Sequence, residues 1–299
     1  VQLLTLFLLY YFFNKREFRI FNNNKLFNNN ISIDSSIFSY GKKMYANSII
    51  SLFSTKGLPF LIGILLIADQ MGMYGVLITI TGLSMFLNKS LRKIFSPAIS
   101  KLYEENKIEE LNTLYKQTTF IINLLTIPFS ILIMFFADEI FQLYNISADH
   151  IEYCKPLLFI FVIAKLFSLI VGNSGAIMTM AGIEKKELII QTIRGLLSII
   201  FALVFIQEYQ LKAVVIIFMC STIFEAISQL FFINNAIKIS PFSSGLIFLI
   251  LLSIPLVYFS IIQDIKIEFY HYILVPIIVY LFYFVVFYKR LKKLYLEIK

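Results

Sequence analysis

The chain has 299 residues, of which 59% are hydrophobic and only 15% charged, with a net charge of +8 and a mean hydropathy of +0.82. A soluble domain carries roughly 45–50% apolar and about 25% charged residues, so an ordinary water-soluble globule is excluded and the apolar excess reads as membrane spans. The two cysteines, Cys154 and Cys220, lie far apart, which excludes a disulfide framework and a cysteine metal centre.

Val1 to Phe13 is apolar but only about 20 Å long as a helix, short of the roughly 20 residues that a span needs. It carries no basic leader of a signal peptide. Residues 1–13 therefore read as the end of a truncated transmembrane helix, and the chain as the C-terminal part of a longer protein. Residues 14–43, with Asn22–Asn24 and Asn28–Asn30, read as a cytoplasmic loop. Apolar segments follow at about 44–67, 74–95, 118–137, 155–174, 188–206, 213–234, 245–262 and 270–288. Backbone polar groups cannot stay unpaired in lipid, and these runs lack the alternation of barrel strands, so each is predicted to be a helix. The expected architecture is all-α, a polytopic transmembrane bundle of about eight complete spans plus the truncated one. At 96–117, Pro97 suits a first helical turn. Ile99, Leu102, Tyr103, Leu111, Leu114 and Tyr115 recur near helical spacing there, which predicts an amphipathic helix lying along the inner surface.

Basic residues alternate between loops. Of the 26 lysines and arginines, 21 fall in one set, which includes Lys15, Lys42, Lys89, Arg92, Lys107, Lys185 and Lys289, while Lys155, Lys212 and Lys266 fall in the other. By the positive-inside rule the first set is cytoplasmic, and so is the C-terminus. Topology and attraction to anionic headgroups account for the +8 charge, so no nucleic-acid partner is expected. The chain has no Walker loop, no dinucleotide glycine fingerprint and no metal-spaced His or Cys cluster. Enzymatic chemistry and an organic or metal cofactor are therefore not expected.

Ionisable groups within a span are costly and usually face a wet interior. Lys165 lies mid-span with Ser168, Gly172 and Asn173 following on its face, and Arg194 is flanked by Gln191 and Ser198. Glu225 shares a face with Ser221, Ser228 and Gln229. Thr119, Asn123, Thr126 and Ser130 make an uncharged stripe, for which helix packing is the plainer role. Lys56 precedes Gly57 and Pro59, where a helix break is predicted. These faces together predict a hydrated cavity with Lys56, Lys165 and Arg194 as its cations. Asn123, Asn173, Gln191 and Gln229 would be its polar lining, and Glu225 a carboxylate able to bind a proton or sodium ion. Such a cavity suits an anionic solute, for which a diphosphate headgroup is the right size and charge.

Four stretches carry a resemblance: MGMYGV at 71–76, SPAISKLYEENKIEELNTLYKQ at 96–117, GNSGAIMTMAGIEKKELI at 172–189 and FFINNAIKISPF at 231–242. In their order and spacing the chain resembles the C-terminal portion of Wzx-type polysaccharide and O-antigen flippases, of the multidrug/oligosaccharidyl-lipid/polysaccharide exporter superfamily. The resemblance implies the second six-helix bundle of that fold at 44–234, then two extra helices and a basic tail at 235–299. It implies alternating access in the bacterial cytoplasmic membrane, with a polyprenyl-diphosphate-linked oligosaccharide turned to the outer leaflet. An ion gradient acting through Glu225 is expected as the driving force, and polysaccharide polymerase machinery is a candidate partner. Two alternatives stay open within transport, a drug or cation antiporter of the same superfamily and a peptidoglycan-precursor flippase. A membrane glycosyltransferase or polymerase is disfavoured, because the longest outer loop, near 138–154, is short.

Overall fold

The computed structural model describes residues 56–262 and 271–298. Among these residues all regular structure is helical: α1 (Lys56–Leu65), α2 (Ala68–Glu104), α3 (Ile108–Phe135), α4 (Ala137–Leu143), α5 (Ala148–Ile170), α6 (Ser174–Met180), α7 (Glu184–Ile237), α8 (Ser244–Ile262) and α9 (His271–Ile298). Four of these, α3, α5, α7 and α8, are long and apolar enough to cross a membrane. The two arms of α2, Ala68–Leu83 and Asn88–Glu104, bend by 47° and make a fifth candidate if counted as one span. The count of eight is thus met only in part. The stretch expected to be a truncated helix, the expected 14–43 loop and the first half of segment 44–67 fall outside the described residues, and the apolar part of α9, Leu274–Tyr288, is short. Within α1 the helix runs through Gly57 and Pro59, and the break comes later, at Leu66 and Ile67.

The 54 residues of α7 would extend roughly 80 Å if straight, against a hydrocarbon core of about 30 Å. Gln210, at φ 50 and ψ −127, interrupts it. Glu187 meets Gln229, and Arg194 meets Glu225. Each pair straddles Gln210 almost symmetrically, so α7 is an antiparallel hairpin whose arms are the expected segments 188–206 and 213–234. Its turn has almost no loop. Gln70 on α2 holds it, accepting the Leu211 amide at 3.1 Å and donating to the Gln210 side chain.

Helix α3 is the centre of the bundle. It packs against α2, α5, α8 and α9, and 78% of its most apolar stretch is buried, against 28% for α8. The polar stripe of α3 is buried too, and Thr126 returns its hydroxyl to the Ile122 carbonyl of its own helix. The predicted surface helix at 96–117 does not form. Helix α2 continues through Pro97 to Glu104, and α3 starts at Ile108. The chain reverses between them at Asn106, φ 56, with the Lys107 amide bonded to the Leu102 carbonyl and the Asn106 amide to Tyr103. This is a left-handed helix cap, a conformation that asparagine tolerates better than most residues. The apolar spacing is real but faces inward, because Ile99, Leu111 and Tyr115 are buried against Ile177, Ile190 and Ile233. A hydrogen bond from Lys107 holds the exposed Glu105 carboxyl below its usual range.

After Ile170, α5 breaks. Gly172 takes φ +69, the short α6 follows, and Gly182 at φ +71 leads into α7. A break inside a membrane bundle frees carbonyls that must find partners within the protein. Here α3 supplies them: Tyr115 donates its hydroxyl to the Val171 carbonyl at 2.7 Å, and Asn123 donates to Leu169 at 2.8 Å. Thr119 presses on the same spot, for a Cβ on Gly172 would stand 2.1 Å from its Oγ1.

Gly172→Ala is therefore expected to lose about 1–3 kcal/mol from backbone strain alone, more with the collision, and to melt earlier in detergent. Gly82→Ala, which meets nothing within 4 Å, should not. Adding Thr119→Ala should restore only the part of the loss due to collision.

Candidate functional site

Buried apolar side chains form two clusters. The larger runs from Ile62 and Leu77 through Phe161 to Ile206 and Val215, and the smaller centres on Leu111, Tyr115, Ile177 and Ile233. Between these clusters both arms of α7 carry polar residues, Arg194 and Ser198 on one and Ser221, Thr222, Glu225 and Gln229 on the other. A cavity of about 280 Å³ opens at this level, walled by α2, α5, α6 and α7.

Six of the residues expected from sequence line it: Asn173, Lys165, Gln191, Arg194, Glu225 and Gln229. Lys56 is not among them. It is exposed at the start of α1. Asn123 is not among them either. It is fully buried, and its amide donates to the Thr119 and Leu169 carbonyls, so its work is to hold the broken end of α5. The charged lining residues that escaped the sequence reading are Lys89 and Arg92 on α2 and Glu187 at the start of α7, and Asn88, Ser174 and Thr222 are polar ones that escaped it too. Lys89 and Arg92 look like loop cations because they follow an apolar run. Both lie just past the bend in α2, where Gly82 and Ser84 weaken the helix.

The cavity thus holds four cationic side chains, Lys89, Arg92, Lys165 and Arg194, against two carboxylates, Glu187 and Glu225. Arg194 Nη1 donates to Glu225 Oε2 at 2.5 Å, each side chain being 22% exposed. Lys165 Nζ stands 4.6 Å from the Phe218 ring centroid, a cation–π contact that holds the ammonium against the wall. Glu187 is almost fully buried and is held by amides. Gln191 donates to Oε1 at 2.8 Å, and Gln229 donates to Oε1 and Oε2 at 3.0 and 3.1 Å. Ser174 in turn donates to Gln229 Oε1. Gly175 makes room for this network, since a Cβ there would stand 3.1 Å from Glu187 Oε1. Buried Asn173 has no hydrogen-bond partner for its Nδ2 among the described residues. With Glu225 on Arg194 and Glu187 on amides, Lys89, Arg92 and Lys165 face the space with no ion pair among the described residues. The cavity can therefore hold an anion with several oxygens.

Residues 2–145 match a family model described as polysaccharide biosynthesis protein. The matched stretch, 144 of 299 residues, is a little under half of the chain. It takes in Lys89 and Arg92 and stops short of Lys165 and Arg194. No curated protein and no solved structure matches the chain. The family match and the apolar helices are consistent with a polysaccharide-related membrane protein.

Removing one partner of the Arg194–Glu225 pair strands a charge, whereas removing both does not. Because both side chains keep some exposure, Arg194→Gln and Glu225→Gln are each expected to cost about 1–3 kcal/mol. The double variant should cost less than the sum, as read from melting in a double-mutant cycle. Additive losses would show that the two groups do not interact in the folded protein.

Proposed function

We propose that this protein moves a lipid-linked oligosaccharide across the bacterial cytoplasmic membrane, from the inner to the outer leaflet, with a polyprenyl diphosphate as carrier. The observation that carries the reading is the excess of cations over carboxylates in a cavity enclosed by apolar helices. An anion leaving water for such a place must find its solvation in fixed donors, and Lys89, Arg92, Lys165 and the Asn173 amide are such donors. The match to a polysaccharide biosynthesis family supplies the class of solute.

The diphosphate meets Lys89 and Arg92, which are the more exposed cations, and passes to Lys165. Arg194 is shared between the substrate and Glu225. Substrate binding competes with that internal pair, and its return helps release. Glu187 and Glu225 are the groups through which an ion gradient would act. In this reading the C-terminus is cytoplasmic and the polymerase machinery of the same pathway takes the product.

Expression of the complete protein in cells lacking their own flippase tests this. Restored surface polymer and loss of the inner-leaflet lipid-linked pool are expected. Lys165→Ala and Arg92→Ala should each lower surface polymer on the order of tenfold, the worth of one charge-assisted contact. Lys56→Ala should leave it unchanged. A Lys165→Ala protein with normal surface polymer overturns the role of that cation.

The two carboxylates in the same cavity favour a second reading, exchange of an organic cation for protons or sodium. Failure to restore polymer, together with gained resistance to cationic drugs, would select it.

A further inference from the structure

The polar cavity has an apolar neighbour. Between the arms of α7 lies a slot of about 210 Å³, lined by Leu197, Ser198, Phe201, Ile217, Cys220, Ser221 and Phe224 together with Arg194. The slot exists because small residues face each other across the hairpin at Ser198, Cys220 and Ser221. Its two hydroxyls are turned away: Ser198 donates to the Arg194 carbonyl and Ser221 to the Phe218 carbonyl. The remaining wall is hydrocarbon. Phe201, Cys220 and Phe224 are exposed, so the slot opens at the bundle surface, where lipid lies.

Arg194 lines both spaces. On the second arm the slot residues and the cavity residues occupy faces about a third of a turn apart, and Arg194 stands where they meet. Its guanidinium has five N–H groups, and one nitrogen is engaged by Glu225. The others can hold a second anion at the boundary between a cation-lined chamber and an apolar one.

We propose that this slot seats the head-proximal end of the hydrocarbon tail of a prenyl lipid whose phosphate groups lie in the polar cavity, with Arg194 on the phosphate next to the tail. The proposal rests on the flippase reading and adds where the tail goes. A larger apolar groove of about 360 Å³ runs along α3, α5 and α8. No charged residue lines that groove, so it has nothing to select a headgroup and would take any lipid chain. The α7 slot is selective because head and tail must fit together.

Cys220 provides the probe. It is exposed in the slot wall, while the chain's only other cysteine, Cys154, is buried. The complete protein in zwitterionic nanodiscs would be treated with N-ethylmaleimide, with alkylation of each cysteine followed by peptide mass spectrometry. Farnesyl diphosphate, farnesol and inorganic pyrophosphate are the added probes, and binding of labelled farnesyl diphosphate is measured in the same samples. At ten times its dissociation constant, farnesyl diphosphate should slow Cys220 alkylation roughly tenfold, while farnesol and pyrophosphate leave it nearly unchanged. Arg194→Gln, made in the Glu225→Gln background so that no carboxylate is stranded, should abolish the protection. Ser221→Leu, which fills the slot, should weaken farnesyl diphosphate binding but not that of pyrophosphate.

Equal protection by farnesol would make the slot an ordinary lipid crevice, and protection by pyrophosphate alone would make it a bystander to the head. Either result overturns the proposal. Binding of farnesyl diphosphate that is lost in Lys165→Ala but leaves Cys220 unprotected overturns it while the flippase reading stands. No binding at all overturns both.

Discussion

A helix that stops inside a bilayer leaves carbonyls that lipid cannot satisfy, and the break at Gly172 stands only because α3 reaches across with the partners they need. Tyr115 and Asn123 take up the Val171 and Leu169 carbonyls, and Gly172 keeps a left-handed conformation with no side chain to collide with Thr119. The cavity follows from this arrangement. Because α5 ends early, Asn173 and Ser174 sit where the next turn of helix would have been. Because α6 is short and begins with small residues, the amides of Gln229 and Gln191 can close around Glu187 beside it. The polar chamber is therefore a product of a repaired defect in the central helices and not of a groove between loops.

Its charge balance has a similar logic. Each carboxylate is already committed, one to Arg194 and the other to side-chain amides, and these commitments differ in kind. Glu225 neutralises Arg194, so in the proposed function it would temper the chamber's hold on an anion. Glu187 is solvated by neutral donors, so its charge adds to the field without cancelling any one cation. A chamber built only of unopposed cations would bind a diphosphate and keep it, whereas one with an internal competitor can let it go.

The coarse architecture was legible in sequence because apolar length is a strong signal in a chain this hydrophobic. Segments 118–137, 188–206, 213–234 and 245–262 fall on helices and 155–174 does so up to the break after Ile170, and the fold-back of α7 is implied by the two runs on either side of Gln210. Helical spacing around Lys165, Arg194 and Glu225 also found much of the cavity, because a polar face on an apolar helix has few other uses. The failures have a common cause. Periodicity reports a face but not what the face meets. The stripe at 96–117 is amphipathic as expected, yet it packs against α6 and α7 and not against lipid. Asn123 sits on a true polar stripe, yet it serves the neighbouring backbone. Lys89 and Arg92 were hidden because they follow an apolar run as loop cations do, and only the continuation of α2 past its bend brings them to the cavity wall.

The turn at Gln210 has a mechanical consequence. Two long arms joined by a single non-helical residue have little slack to slide past one another, and Gln70 fastens their closed end to α2. Arg194 lies sixteen residues from that end, about 24 Å along the helix. A tilt of about ten degrees at the fastened end carries the guanidinium about 4 Å sideways, more than the length of a hydrogen bond. If the protein works as proposed, a small tilt at that turn would be amplified at the chamber into the difference between holding an anion and not reaching it.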